Sequence, residues 1–233
     1  MNQSLGILGG LGPLASAEFL KTIYEFNLTI LEQDSPTCIL YSDPTFPDRT
    51  DAILGGSDDV LINLLVKSLE SLCQLGVSKI VIACITMHYF LPQVPVPLRN
   101  RVISLIDLIV KEVSNTEKTH LLLCTKGAQK AGIFQKHKQW KLVEPYILFP
   151  SEDEQNMLQN YIYQIKINCN KDSIVDYLDN LVYKYKVDSL IAGCTELHLL
   201  KKHLMNPEYS EKGYHIVDPL ITIAKNLNEF MVV

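Results

Sequence analysis

No stretch of the 233-residue sequence approaches the roughly 20 consecutive apolar residues that span a bilayer. The opening residues MNQSLGILGG also lack the basic start and small-residue cleavage site of a secretory leader, so no membrane partner is expected and a cytoplasmic location is. Basic residues are few and scattered, 21 Lys and Arg against 26 Asp and Glu for a net charge of −5, which argues against a nucleic-acid partner. None of the six cysteines forms a C-x-x-C pair, so zinc ribbons and dithiol redox chemistry have no support, and in a reducing compartment each cysteine is a separate thiol. Linkers and low-complexity tracts are also absent, so any domains share an intimate interface.

What the chain does have is 47% hydrophobic residues, enough for a substantial core, arranged in an alternating rhythm. LGILGG precedes a helical pattern from about Ala15; TCILYSDP precedes one over Asp58 to Leu75; KIVIACI follows. Strands that alternate with helices predict an α/β fold with parallel sheets. The order then recurs: LLLCTKG at Leu121, KLVEP at Lys141, helical patterns from Glu152, and DSLIAGC ending at Cys194. Three stations match at similar offsets: Gly12 with Gly127, Cys84 with Cys194, and Asp107 with Asp218. The expectation is an internal duplication into two pseudo-symmetric, Rossmann-like units with the active site in the cleft between them. Residues 1–100 plus 210–233 form the first unit and 101–209 the second, with LPQVPVPLRN at 91–100 as the crossover.

Cys84 and Cys194 each end an apolar strand and precede Thr-containing helical segments, the edge of an α/β sheet where ligands bind. A helix start stabilises a thiolate, so both thiol pKa values are expected to move from about 8.5 toward neutrality. A lone cysteine there is most often a core residue, but two at equivalent positions place sulfurs on opposite sides of one cleft. That is the symmetry needed to remove a proton from one face of a carbon and return it on the other. Cys38, Cys73, Cys124 and Cys169 lack this setting and read as structural.

The loop Gly9-Gly10-Leu11-Gly12-Pro13 lets backbone amides approach a small anion, but it is neither a dinucleotide fingerprint nor a phosphate loop. Arg49, in a Pro-punctuated loop, is either a bidentate carboxylate grip or a plain surface arginine. His88 and His198 each lie four residues after a cysteine, able to tune the sulfurs or, more commonly, to serve as satisfied core histidines. A Cys/His pair at this spacing also suits zinc, at the cost of converting both proposed bases into ligands.

Together, GGLGPLASAEF, SDPTFPDRT, ACITMHYF and AGCTEL resemble the aspartate/glutamate racemase superfamily, closest to its aspartate racemase branch, over nearly the whole chain. The resemblance implies two α/β domains around an active site, no pyridoxal phosphate or metal cofactor, and a homodimer. It implies Cys84 and Cys194 as catalytic acid and base acting on a small dicarboxylic amino acid, aspartate. Arg49 and Lys166 then hold its side-chain carboxylate. Thr86 and Thr195 contact the α-carboxylate, joined by donors of the Gly10 loop, and Thr125 binds substrate from a similar ligand-facing loop of the second half, with His88 and Glu196 in support. Position 85 departs from the family, which generally has Asn there. Ile85 either turns into the core or marks an altered substrate choice or rate. Glutamate or broad-specificity amino-acid racemisation, maleate isomerisation, decarboxylation and an impaired carboxylate-binding protein are the alternatives.

Overall fold

The computed structural model describes residues 3–56, 58–209, 212 and 214–231. The remaining positions of the expected 210–233 segment, namely 210, 211, 213, 232 and 233, lie outside the described residues. Two parallel sheets organise the chain. The first half runs β1 (Ser4–Gly9), α1 (Pro13–Phe26), β2 (Thr37–Ser42), α2 (Arg49–Gly55), α3 (Asp59–Gln74), β3 (Lys79–Ile82), α4 (Val96–Arg99) and α5 (Leu105–Ser114). The second runs β4 (His120–Cys124), α6 (Lys126–Lys130), α7 (Trp140–Val143), β5 (Ile147–Leu148), α8 (Glu152–Lys166), α9 (Asp172–Tyr185), β6 (Ser189–Gly193), α10 (Glu196–Leu204), β7 (His215–Val217), α11 (Pro219–Lys225) and α12 (Leu227–Met231).

The sheet orders are β2-β1-β3 and β5-β4-β6-β7, and an isolated parallel bridge from Ile80 to Val102 gives the first sheet the counterpart of β7. The central strands β1, β4 and β6 are buried throughout, which explains their continuous apolar sequences: a parallel sheet covered on both faces has no solvent side to alternate with. The duplication offsets reappear in the ladders. Leu8 pairs with Ile82 as Leu123 pairs with Ala192, so β1 to β4 is displaced by 115 residues and β3 to β6 by 110.

Three expectations need correction. The third station is Ser104 with Asp218, not Asp107 with Asp218. Val102 bridges Ile80 and Ile216 pairs with Leu190, which aligns the two N-caps: Ser104 accepts from the Asp107 amide, and Asp218 accepts from the Leu220 and Ile221 amides. Lys141 and Val143 lie in α7, and the strand comes later, at Ile147–Leu148. Trp140 and Val143, three apart, bury one helical face, and Pro145 cannot donate to a ladder. The segment 91–100 does not cross between sheets. It returns the chain to Val102 beside β3, and α5 makes the crossing.

The boundary at 210 also fails to separate the two sheets, because β7 belongs to the second. Its helix α11 packs against α1 and α5 instead. One core cluster accordingly draws on both halves, joining Leu5, Ile7 and Phe19 to Leu122, Ile191, Val217 and Leu220. A shared core of this kind fixes the two strand edges that carry the cysteines relative to one another.

Candidate active site

Cys84 follows β3 and Cys194 follows β6, and both line a single cleft with Leu11, Asp48, Arg49, Thr50, Thr86, Thr125, Gln159, Lys166 and Glu196. The cavity is about 10 Å³, room for a single water. A larger cavity of about 300 Å³ lies nearby, lined by His88, Arg99, Lys136 and His137 among mostly apolar groups, but it contains neither cysteine.

The two cysteines are not equivalent. Cys84 opens a 3-10 helix over Ile85–Gln93, whereas Cys194 precedes α10, whose N-cap is Thr195. Cys194 Sγ donates to Glu196 Oε2 at 2.7 Å. Burial, the adjacent Glu196 carboxylate and Cys84 raise the Cys194 pKa well above the ordinary thiol value, and Lys166 opposes them only in part. The expected helix-start depression is therefore reversed at Cys194: desolvation and a buried anion outweigh the dipole of a short helix. Cys194 rests as a thiol.

Arg49 is 8% exposed, with its guanidinium donating to Leu11 O at 2.6 Å and Pro47 O at 3.1 Å. It is not a surface residue. Burial acts to lower its pKa, but the Cys84 sulfur, Asp48 and Glu196 together raise it. Asp48 makes the loop turn into α2 by accepting from the Thr50 and Asp51 amides, and this cap aims Arg49 inward. Lys166, at the C-terminal end of α8, lies between the Tyr163 ring face at 5.0 Å and Glu196 Oε1 at 3.9 Å. Thr86 and Thr125, one from each half, hydrogen-bond to each other at 3.1 Å across the cleft.

Four expected residues lie outside the cleft wall. Gly10 has a φ of +86°, and a Cβ there would meet the Asp43 backbone at 2.3 Å. Its amide bonds Ser16 Oγ at 3.4 Å, so it serves the turn and not an anion. Ile85 is 1% exposed and packs in the shared core, so the residue departing from the family pattern presents nothing to the cleft. Thr195 Oγ1 donates to Ala83 O at 3.0 Å, tying the two strand ends together and committing its hydrogen. His88 accepts from the Leu105 amide at Nε2 and, neutral with burial pushing its pKa down to about 4, donates from Nδ1 to Cys84 O. It braces the Cys84 backbone and does not reach the sulfur. Its counterpart His198 is likewise engaged at both nitrogens, by Asp218 at 2.7 Å and Thr22 at 3.1 Å.

Leu11, Asp48, Thr50 and Gln159 are wall residues that the sequence reading did not single out. Two of them flank Arg49, and Gln159 lies seven residues before Lys166, two helical turns along one face of α8. That spacing was the available signal.

Two parallel sheets, with a cysteine after a strand of each lining one cleft beside Arg49 and Lys166, define a pseudo-symmetric α/β protein with paired thiols. Residues 8–226 match the family model for Asp/Glu/Hydantoin racemase, and the chain belongs to that family. Among solved structures, it is similar to Picrophilus torridus aspartate racemase at 22% identity and TM-score 0.80, covering 98% of this chain and 94% of that one. An aspartate racemase homologue from Pyrococcus horikoshii OT3 matches at 21% identity and TM-score 0.68, covering 99% of both chains. Glutamate racemase from Aquifex aeolicus (strain VF5) is 29% identical over 163 residues, 67% of this chain and 59% of that relative's length. Among the described residues, no helix is long and apolar enough to cross a membrane.

Proposed function

We propose that the chain interconverts L- and D-aspartate by a two-base mechanism without pyridoxal phosphate or metal. The observation that carries this is the single cleft holding Cys84, Cys194, Arg49 and Lys166. Two cations answer the side-chain carboxylate of a dicarboxylic substrate, and the two sulfurs come from equivalent strand ends of opposed halves. A thiolate at one cysteine takes the α-proton and becomes a thiol; the other thiol gives its proton to the opposite face and becomes a thiolate. Cys194 Sγ donates to Glu196, which poises it as the acid in one direction, with Cys84 taking the α-proton from the opposite face. The reverse direction exchanges the roles.

The carbanion-like state needs donors aimed at the α-carboxylate. The Thr86 and Thr125 hydroxyls share a hydrogen bond across the cleft, and Thr125 Oγ1 also accepts from the Ala128 amide; in this reading their hydrogens turn toward the α-carboxylate. A cavity with room for one water cannot hold aspartate, so the walls must part before binding and close again to exclude water. Glutamate is the nearest alternative substrate, since the Aquifex relative is a glutamate racemase by name. Incubating the purified protein separately with L-Asp, D-Asp, L-Glu and D-Glu, followed by chirality-resolved chromatography, tests the reading. Aspartate of either hand is expected to approach a racemic mixture, and unchanged aspartate would overturn the proposal.

Lys166 is partly exposed and adds charge to a carboxylate already met by Arg49. Replacing it with Gln is therefore expected to raise KM for aspartate by about tenfold, the lower end for a charged hydrogen bond, with a smaller change in kcat. Initial rates in both directions measure it.

A further inference from the structure

Glu196 Oε2 receives the Cys194 thiol, but Oε1 is buried with no hydrogen-bond partner among the described residues. The neighbouring Lys166 Nζ stands 3.9 Å away, beyond hydrogen-bond reach. A buried carboxylate oxygen left without a donor is destabilising, and the fold nevertheless keeps space for it. A Cβ at Gly12 would lie 2.3 Å from Oε1, and Gly12 has an extended φ of 169° that any residue adopts. The missing side chain at position 12 thus serves room for the carboxylate, not backbone conformation.

In the aspartate reading, on which this inference rests, Arg49 and Lys166 take the distal carboxylate and the threonines the α-carboxylate, leaving the α-ammonium without an acceptor. Among the wall residues, Glu196 Oε1 is the buried side-chain oxygen left without a donor. Asp48 Oδ1 caps α2, and Gln159 Oε1 accepts from the Lys126 amide at 2.8 Å. We propose that Glu196 Oε1 receives the substrate's α-ammonium group, with Lys166 standing in for that cation in the empty cleft and moving to the distal carboxylate when substrate binds. One carboxylate then holds both the Cys194 thiol and the nitrogen on the reacting carbon, which fixes the face of that carbon turned to Cys194.

The test is calorimetric binding of L-aspartate, D-aspartate and succinate, which lacks the amine, to wild type, Glu196→Gln and Gly12→Ala. Wild type is expected to prefer either aspartate over succinate by about tenfold or more, the range of a charged hydrogen bond. Glu196→Gln removes the charge that attracts the ammonium and repels succinate, so the preference is expected to fall about tenfold. Gly12→Ala crowds Oε1 without changing charge and is expected to lose preference as well. An unchanged preference in either variant, or a wild type that binds succinate as tightly as aspartate, overturns the inference while leaving racemisation intact. A wild type that binds neither overturns the aspartate reading and this assignment with it.

Discussion

Replacing Cys84 with Ala is expected to lower kcat for aspartate racemisation by about 10²–10⁴-fold in both directions, the span that a positioned proton-transfer group contributes. The same loss is expected for Cys194→Ala, because each direction needs one sulfur on each face. The KM should change little, since neither sulfur is assigned to hold a carboxylate. Cys73→Ala and Cys124→Ala are the controls. Cys73 is half-buried in α3, and the Cys124 thiol, buried in the core, is pushed up to about 12 by burial. Neither lines the cleft, so kcat in these two variants is expected to stay within about twofold of wild type once folding is verified. Full activity in either Cys84→Ala or Cys194→Ala would refute the two-base assignment, and chiral chromatography with purified variants reads it.

The second large effect is on stability, at Asp218. This carboxylate is enclosed with His198, their side chains 2% and 0% exposed. Its Oδ2 pairs with His198 Nδ1 at 2.7 Å, and its Oδ1 accepts from the Leu220 amide at 2.9 Å and the Ile221 amide at 3.4 Å. Asp218→Ala strands a buried ring nitrogen and uncaps α11 in one step. Leaving a buried donor unsatisfied costs about 1–3 kcal/mol and loss of a cap adds about 1 kcal/mol. For a chain of this length each kcal/mol corresponds to about 2–4 °C in Tm, so the midpoint is expected to drop by about 4 °C or more. Asp218→Asn keeps an acceptor for the cap and should lose much less. Urea and thermal unfolding of the three proteins measure the difference, and a Tm within 2 °C of wild type for Asp218→Ala would show that the pair is not a stabilising element.

His198 shows why part of the site was hidden in the sequence. Four residues after Cys194 it reads as a satisfied core histidine or, less commonly, a tuner of the sulfur, and the partners that decide for the first, Thr22 and Asp218, come from distant parts of the chain. Spacing along a helix reports which residues share a face, not what that face meets. The strands were legible because burial on both faces leaves an uninterrupted apolar run, and the cysteines because a duplicated fold repeats its strand ends. α7 was misread as a strand because a four-residue apolar segment carries too little periodicity to separate the two, and β5 contributes only two residues. The path of β7 into the second sheet, while α11 packs on α1, is a long-range choice that no local pattern encodes.

Gly10 and Gly12 divide along the same line. The loop suggested an anion cradle, but Gly10 answers the Asp43 backbone and Gly12 answers Glu196. Glu196 itself was visible in the motif as a supporting residue beside Cys194. Its grip on that thiol, and the resulting inequality of the two cysteines, depend on burial and on a 2.7 Å contact that needs coordinates.

The central claim is that two opposed thiols act on two faces of one carbon, and racemisation in heavy water tests it most directly. With L-aspartate in D₂O, mass-resolved chiral analysis of the earliest time points is predicted to show D-aspartate carrying one deuterium at Cα while the remaining L-aspartate is still protiated. Equal, early deuterium in both enantiomers would mean that a single base serves both faces, and would contradict the assignment of Cys84 and Cys194.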